Sequence, residues 1–163
     1  MDNLYFDEIT MKETLQNAIL NRFKNDTRHE KKHWYKMFGN RNLKFYSSQT
    51  QANSQKEKPQ FPCAIVNIES EPDTFWSNST QIEEVSIVNI SIEIYTVETN
   101  NIDKELLGSY LSNIVLMGLR DVSGNIIVTK NAPLINLDNS VYRRLIRGVF
   151  KYNNRTQTIY KGE

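Results

Sequence analysis

The first regular pattern along the chain is helical. Leu15, Ile19 and Phe23 recur at four-residue intervals, as on the apolar face of an amphipathic helix, so we predict a helix over about 10–24. The run Thr10-Met11-Lys12-Glu13 fits a capping box, in which a hydroxyl and a carboxylate three residues later satisfy free backbone amides. The helix is therefore expected to begin at Thr10.

A second helix is predicted beyond the centre of the chain. The carboxylate of Asp103 can cap its first turn, and Gly118 is expected to end it. The preceding strand is expected to break at Asn100-Asn101. The apolar stripe of this helix consists of Leu107, Leu111, Ile114 and Val115.

Strands are predicted on both sides of the second helix. The clearest covers residues 88–95, where valine and isoleucine alternate with mostly polar residues and give one dry face. Further strands are expected over 61–69, 141–152 and 156–160. The segments expected to form turns or loops are 72–80, 122–126 (a tight hairpin turn) and 131–139.

This order of elements indicates one α+β domain that spans residues 1–163. Alternating strands favour an antiparallel or mixed sheet with one covered face, and the two amphipathic helices are expected to pack on that face. No pattern persists from Asn25 to Lys58. We predict that this basic stretch is a long loop inserted after the first helix.

Length and composition agree with a folded chain that does not enter a membrane. The 163 residues are 39% hydrophobic and 24% charged, which argues against wholesale disorder. No apolar stretch reaches the roughly 18 residues that a membrane helix needs. The acidic N-terminus lacks the apolar core of a secretion signal, and a single cysteine leaves no internal disulfide. A reducing, cytoplasmic environment is therefore expected.

Charge is unevenly distributed, although the net charge is only +1. Residues 28–58 hold eight basic and two acidic residues, whereas residues 59–139 hold three basic and eleven acidic ones. The last segment, 140–163, is basic again. This polarity favours a partner of opposite charge, either nucleic acid or a second copy of the chain.

Catalytic motifs are scarce in the sequence. His29-Glu30-Lys31-Lys32-His33 matches the H-E-x-x-H zinc pattern, but the chain has no third histidine and both variable positions are lysine. Cys63 lies in an apolar strand without a predicted base nearby, so it is expected to be a core residue. We therefore expect no enzymatic activity, no metal and no cofactor.

Basic and aromatic residues are interleaved over residues 28–46. The cations could neutralise phosphates and the rings could stack on bases, so a nucleic-acid-binding module is one hypothesis. Alternatively, the aromatic rings pack the loop onto its own domain or onto a neighbouring subunit. The side chains expected to make these loop contacts are Lys31, Lys32, Trp34, Tyr35, Lys36, Arg41 and Lys44.

The order of the elements and two stretches, VSIVNISIEIYT (85–96) and NLDNSVYRRLIRG (136–148), resemble the phage tail-completion or tail-terminator proteins. The resemblance covers about 61–161 together with the first helix. It implies an α+β fold with helices packed on an antiparallel sheet. It also implies a structural role in a ring, usually of six subunits, that caps the tail tube, stops its growth and joins it to the head.

Partners and location also follow from the resemblance. The implied partners are further copies of the chain, the tail-tube protein, the head or neck connector and, in a contractile tail, the sheath. The loop side chains would contact the tube, a neighbouring subunit or, non-specifically, DNA in the lumen. The protein would be a virion component assembled in the host cytoplasm, without a membrane partner. An adjacent neck or head–tail connector protein fits the same pattern.

In a ring, two different surfaces of neighbouring subunits meet. We predict that the basic cluster after residue 140 faces the acidic central segment of the next subunit, where it sets register and partner choice. The alternative is that these arginines border the sheet or pair within their own subunit. If they bridge subunits, Arg147→Glu gives folded monomers. The predicted interface residues are Arg143, Arg144, Arg147, Glu69, Glu71, Glu83 and Glu84.

Overall fold

The computed structural model of the chain describes residues 7–25, 43–46, 60–76, 81–135 and 139–158. Within these ranges it has two helices and a five-stranded mixed sheet, which confirms the predicted α+β class. In chain order the elements are α1 (Glu8–Asn25), β1 (Lys44–Tyr46), β2 (Cys63–Trp76), β3 (Gln81–Val97), α2 (Lys104–Val122), β4 (Ile127–Leu134) and β5 (Val141–Thr158).

The strands lie in the order β1-β2-β3-β5-β4. Neighbouring strands are antiparallel except for β1, which runs parallel to the first residues of β2. The two longest strands, β3 and β5, pair from Val97 opposite Val141 to Gln81 opposite Thr158. The isoleucine-rich strand β3 therefore lies at the centre of the sheet, where β-branched side chains pack well on a pleated surface.

Both helices pack on one face of the sheet. Val66 of β2 and Ile92 of β3 are completely buried in one apolar cluster with Leu15 of α1 and Leu111 of α2. Burying an aliphatic or aromatic side chain of this size contributes roughly 1.5–3 kcal/mol relative to leaving it in water. This face is therefore the main source of the stability of the domain.

The two helices begin differently from each other. Asp103 caps α2 as predicted, because its Oδ1 accepts the backbone N–H of Glu105 at 2.8 Å. The capping box predicted at Thr10 is wrong. Helix α1 begins at Glu8, and Oδ1 of Asp7 accepts the N–H groups of Ile9 and Thr10 at 3.1 and 3.2 Å. The carboxylate of Asp7 thus takes the place that the sequence assigned to the Thr10 hydroxyl.

Gly118 lies inside α2, so the prediction that it ends the helix is wrong. The helix continues to Val122, and the N–H of Ser123 donates to the carbonyl of Leu119. A Cβ at position 118 would lie 2.7 Å from Cγ1 of Ile19 and 3.1 Å from its Cα. Glycine is therefore used here for the close approach of α1 to α2, not for a helix end.

Two predicted loops are strands for most of their described length. Strand β2 continues through Pro72 to Trp76, and β4 occupies Ile127–Leu134. Both prolines involved, Pro72 and Pro133, have a described strand on one side only, and a missing N–H costs least at such an edge. The predicted hairpin turn at 122–126 instead connects the end of α2 to β4.

The last predicted strand is part of β5, which runs without a break from Val141 to Thr158. The strand break at Asn100-Asn101 is confirmed, since these residues have φ of 52° and 62°. Of the predicted basic insertion over 25–58, only Asn25 and residues 43–46 fall within the described ranges.

Candidate functional site on the open face of the sheet

The open face is the side of the sheet opposite the helices, and most of its central residues are polar. Side chains alternate along a strand, so the neighbours of the buried apolar residues point to this side. One end of the open face is closed by a small apolar cluster of Cys63, Ile65, Tyr95 and Val141. The polar residues of the open face include Asn67, Glu69, Glu71, Asn89, Ser91, Glu93, Arg143, Arg147 and, on β4, Lys130.

Arg143 is held by partners within its own chain. Its Nη2 donates to Oε1 of Glu93 at 2.8 Å, and the hydroxyl of Tyr95 donates to Oε2 of the same carboxylate at 2.7 Å. Strand register causes this arrangement, because Tyr95 lies directly opposite Arg143. The guanidinium carbon lies 5.8 Å from the centre of the Tyr95 ring. Only 19% of the Arg143 side chain and 16% of the Glu93 side chain are exposed.

The protonation of this cluster is fixed by its surroundings. Burial raises the pKa of Tyr95 well above its ordinary range, and the hydrogen bond to Glu93 and its charge act in the same direction. The pKa of Arg143 is also raised, because burial, which lowers it, is outweighed by the interactions with Glu93 and Tyr95. Both groups keep their protons at neutral pH, which suits an ion pair that holds β3 to β5.

Arg144 lies on the opposite side of β5 from Arg143, as strand alternation requires. Its Nε donates to Oδ1 of Asn131 at 2.7 Å, and its Nη1 donates to the hydroxyl of Tyr142 at 2.9 Å. Two of the three predicted interface arginines are thus hydrogen-bonded inside their own subunit, the alternative that the sequence left open. Their contact with a neighbouring subunit stays a prediction.

Arg147 differs from both because its side chain is exposed and has no partner among the described residues. It lies opposite Ser91 of β3 on one side and opposite Lys130 of β4 on the other. Neither the Arg147 side chain nor the Lys130 side chain makes a hydrogen bond or an ion pair in the part of the chain that the structure describes. Two like charges at directly opposite positions repel each other, and no carboxylate among the described residues pairs with either of these two cations.

A concavity of about 420 Å³ separates Arg147 from the acidic side of the open face. Glu69 lines it from β2, and the next residue on the same face, Glu71, is also exposed. No ion pair holds either glutamate among the described residues. The open face is therefore acidic along β2 and basic along β5 and β4. The polar residues that line the concavity are Asn67, Glu69, Asn89, Ser91, Thr129 and Arg147.

Several predicted site residues are described in part or not at all. Glu83 and Glu84 belong to β3, opposite Thr156 and Arg155, and only their backbone is described. Lys44 lies in β1 with its Nζ 5.9 Å from the ring centre of Tyr46. The remaining loop residues (Lys31, Lys32, Trp34, Tyr35, Lys36, Arg41) and the H-E-x-x-H motif lie outside the described residues. Within the described ranges, no group of three or more His, Cys, Asp and Glu residues could hold a metal ion.

Sequence reasoning missed the exposed edge strand β4. Six of its eight residues are exposed, and the side chain of Ile127 is 66% exposed. Ile135, just beyond the strand, is 93% exposed. The available signal was the β-branched run Ile126-Ile127-Val128, which favours a strand over a loop.

Together, the fold and this surface define a small α+β domain with one helix-covered face and one charged face. No protein-family model matches the chain, and no curated protein matches it in sequence. Neither of the two helices in the described part of the chain is long and apolar enough to span a membrane.

Proposed function

We propose that the chain is a structural assembly protein: the subunit of a ring of about six copies that caps a phage-like tail tube. The observation that carries this proposal is the open face, where Glu69 and Glu71 on β2, Arg147 on β5 and Lys130 on β4 have no side-chain partner among the described residues. A cyclic ring requires two different, complementary surfaces on every subunit. The acidic residues of β2 and the basic residues of β5 and β4 provide such a pair of surfaces.

The resemblance of residues 85–96 and 136–148 to tail-terminator proteins supports the same proposal. Most of the residues in these two stretches lie on β3 and β5, which are neighbours in the sheet. The role is non-enzymatic, and the partners are further copies of the chain, the tail-tube protein and the head connector. The protein would reside in the virion, at the head end of the tail.

The test is the particle mass of the purified full-length chain, measured by light scattering over a concentration series with negative-stain images of any large species. We expect closed rings of about six subunits. Adding the rings to polymerising tail-tube protein of the same virus should stop tube growth at one end. Rings that bind the head connector but leave tube growth unchanged would indicate the adjacent neck protein instead. A chain that forms no ring and does not bind the tube would contradict the proposal.

A further inference from the structure

We propose that the subunits associate head to tail through the open face. In this arrangement Arg147 and Lys130 of one subunit contact Glu69 and Glu71 of a second copy, and the exposed start of β4 packs alongside. This inference rests on the proposed function, because it names the two surfaces by which the subunits of the ring would meet.

The three predicted interface arginines of β5 differ in whether their side chains are available to a second chain. Arg143 is hydrogen-bonded to Glu93, and Arg144 is hydrogen-bonded to Asn131 and Tyr142. Moving either arginine to a partner would break contacts that are already made. Arg147 and Lys130 have no such contacts with described residues, so they can bind a second chain without this cost.

The charges along β2 and those along β5 and β4 have opposite signs. Arg147 and Lys130 repel each other across β5 and β4, and two carboxylates between them would relieve this repulsion. A two-fold symmetric contact through the basic pair would instead set bases against bases. Charge complementarity therefore favours contact between the basic pair of one copy and the acidic pair of the other. In the ring of the proposed function this contact is made head to tail, and it closes when the rotation between subunits allows it.

The two edges of the described sheet differ in how they are covered. Near the edge formed by β2, the backbone N–H of Ser70 donates to Oε1 of Glu8 at 2.8 Å, and its hydroxyl donates to the same oxygen at 2.7 Å. Most residues of β4 are exposed, and no described residue covers this strand in a comparable way. The strand carries a bulge between Val128 and Lys130 and a proline at 133, features that discourage strand pairing.

The remaining open portion of β4 is Ile127 and Val128, two exposed apolar residues, of which Ile127 lies on the same face as the basic pair. Apolar contact supplies affinity that exposed charges alone rarely provide, whereas the charges set orientation. The start of β4 would therefore contribute binding strength, and the basic pair would determine which surface of the second copy it meets.

Charge reversal with rescue tests this arrangement. We expect Lys130→Glu with Arg147→Glu, and separately Glu69→Lys with Glu71→Lys, to weaken self-association at least about tenfold at low salt. An equimolar mixture of the two double variants restores association, because each surface then meets an opposite charge. A protein with all four reversals also associates. Sedimentation velocity measures each case, and circular dichroism verifies that every variant is folded.

A matched control is Lys24→Glu with Arg120→Glu, the same change of charge at exposed positions of α1 and α2. We expect this variant to associate like the wild type. Ile127→Asp tests the apolar part separately, and it should weaken association at least about tenfold without loss of fold, because the side chain is already mostly exposed.

Double variants that associate like the wild type, or a mixture that does not rescue them, would overturn the inference. So would a wild-type chain that remains monomeric at about 1 mM and low salt. The two proposals fail in distinguishable ways. If rings persist in both reversed variants, the proposed interface is wrong and the proposed ring function is unaffected. If the subunits associate through these charges into open chains that never bind tail tube, the proposed ring function is wrong and the proposed interface is unaffected.

Discussion

The two faces of the sheet differ in whether their side chains have contacts within the described part of the chain. On the helix-covered face, apolar side chains such as Ile92 and Leu111 are fully buried and need no partner outside the chain. On the open face, Glu69 and Arg147 are charged, exposed and unpaired among the described residues. The comparison indicates that stability comes mainly from one face and that binding specificity belongs to the other.

The open face itself contains both a paired and an unpaired arginine among the described residues. Arg143 and Arg147 lie four residues apart on one strand and on one face, yet among the described residues only Arg143 forms an ion pair with a carboxylate. Register explains the difference. Arg143 lies opposite Tyr95 and diagonal to Glu93, whereas Arg147 lies opposite Ser91. A position on a strand therefore has no fixed role until its cross-strand neighbours are known.

The largest difference between the faces is expected in stability. Phe23→Ala removes a fully buried ring from the helix-covered face and should lower the free energy of unfolding by about 3–5 kcal/mol. Arg147→Ala on the open face should change it by less than about 0.5 kcal/mol. Urea unfolding at neutral pH measures both. Losses of similar size would mean that the open face contributes to the core after all.

The sequence could predict features that depend on local pattern. The alternation in β3, the apolar stripe of α1 and the cap at Asp103 are all set by residues within a few positions of one another. The role of Gly118 was not predictable in this way, because it depends on Ile19 of another helix. The same holds for Pro133, which is compatible with a strand only because β4 is an edge.

Some residues of the candidate site could be identified from the local sequence, and others only from strand pairing between distant parts of the chain. Charge counting identified Arg147, Glu69 and Glu71, since the segments to which they belong are visibly basic or acidic. It did not identify Glu93, Tyr95 or Lys130, whose roles follow from strand pairing over long sequence separations. Assuming the pairing of β3 with β5 would have placed Glu93 near Arg143, but nothing in the composition specifies that pairing.

A smaller effect is expected within the open face, where the two glutamates can be compared directly. Glu93→Gln leaves the largely buried Arg143 without a counter-charge and should lower the free energy of unfolding by about 1–3 kcal/mol. Glu69→Gln makes the same chemical change at an exposed, unpaired position and should alter it by less than about 0.5 kcal/mol. Thermal and urea unfolding of both variants provide the measurement. Equal effects would show that the Arg143 ion pair does not stabilise the subunit.

A smaller effect than that of Glu93→Gln is expected on the outside of the helices, at the ion pair between Arg22 and Asp121. Its two hydrogen bonds, at 2.6 and 2.7 Å, are short, but the side chains are 46% and 33% exposed. Asp121→Asn should therefore cost less than about 1 kcal/mol at neutral pH, and less still in high salt. Urea unfolding in low and high salt is the measurement.

The pH dependence of this pair has a definite sign. The hydrogen bond from Arg22 lowers the pKa of Asp121, burial opposes the change, and the charge of Arg22 reinforces it. A lowered pKa in the folded state means that the stabilisation is present above the ordinary aspartate pKa of about 3.9 and is lost as the pH falls below it. The difference in stability between the wild type and Asp121→Asn should therefore shrink in acid. A difference that grows as the pH falls would show that Asp121 stabilises the helix pair by something other than its charge.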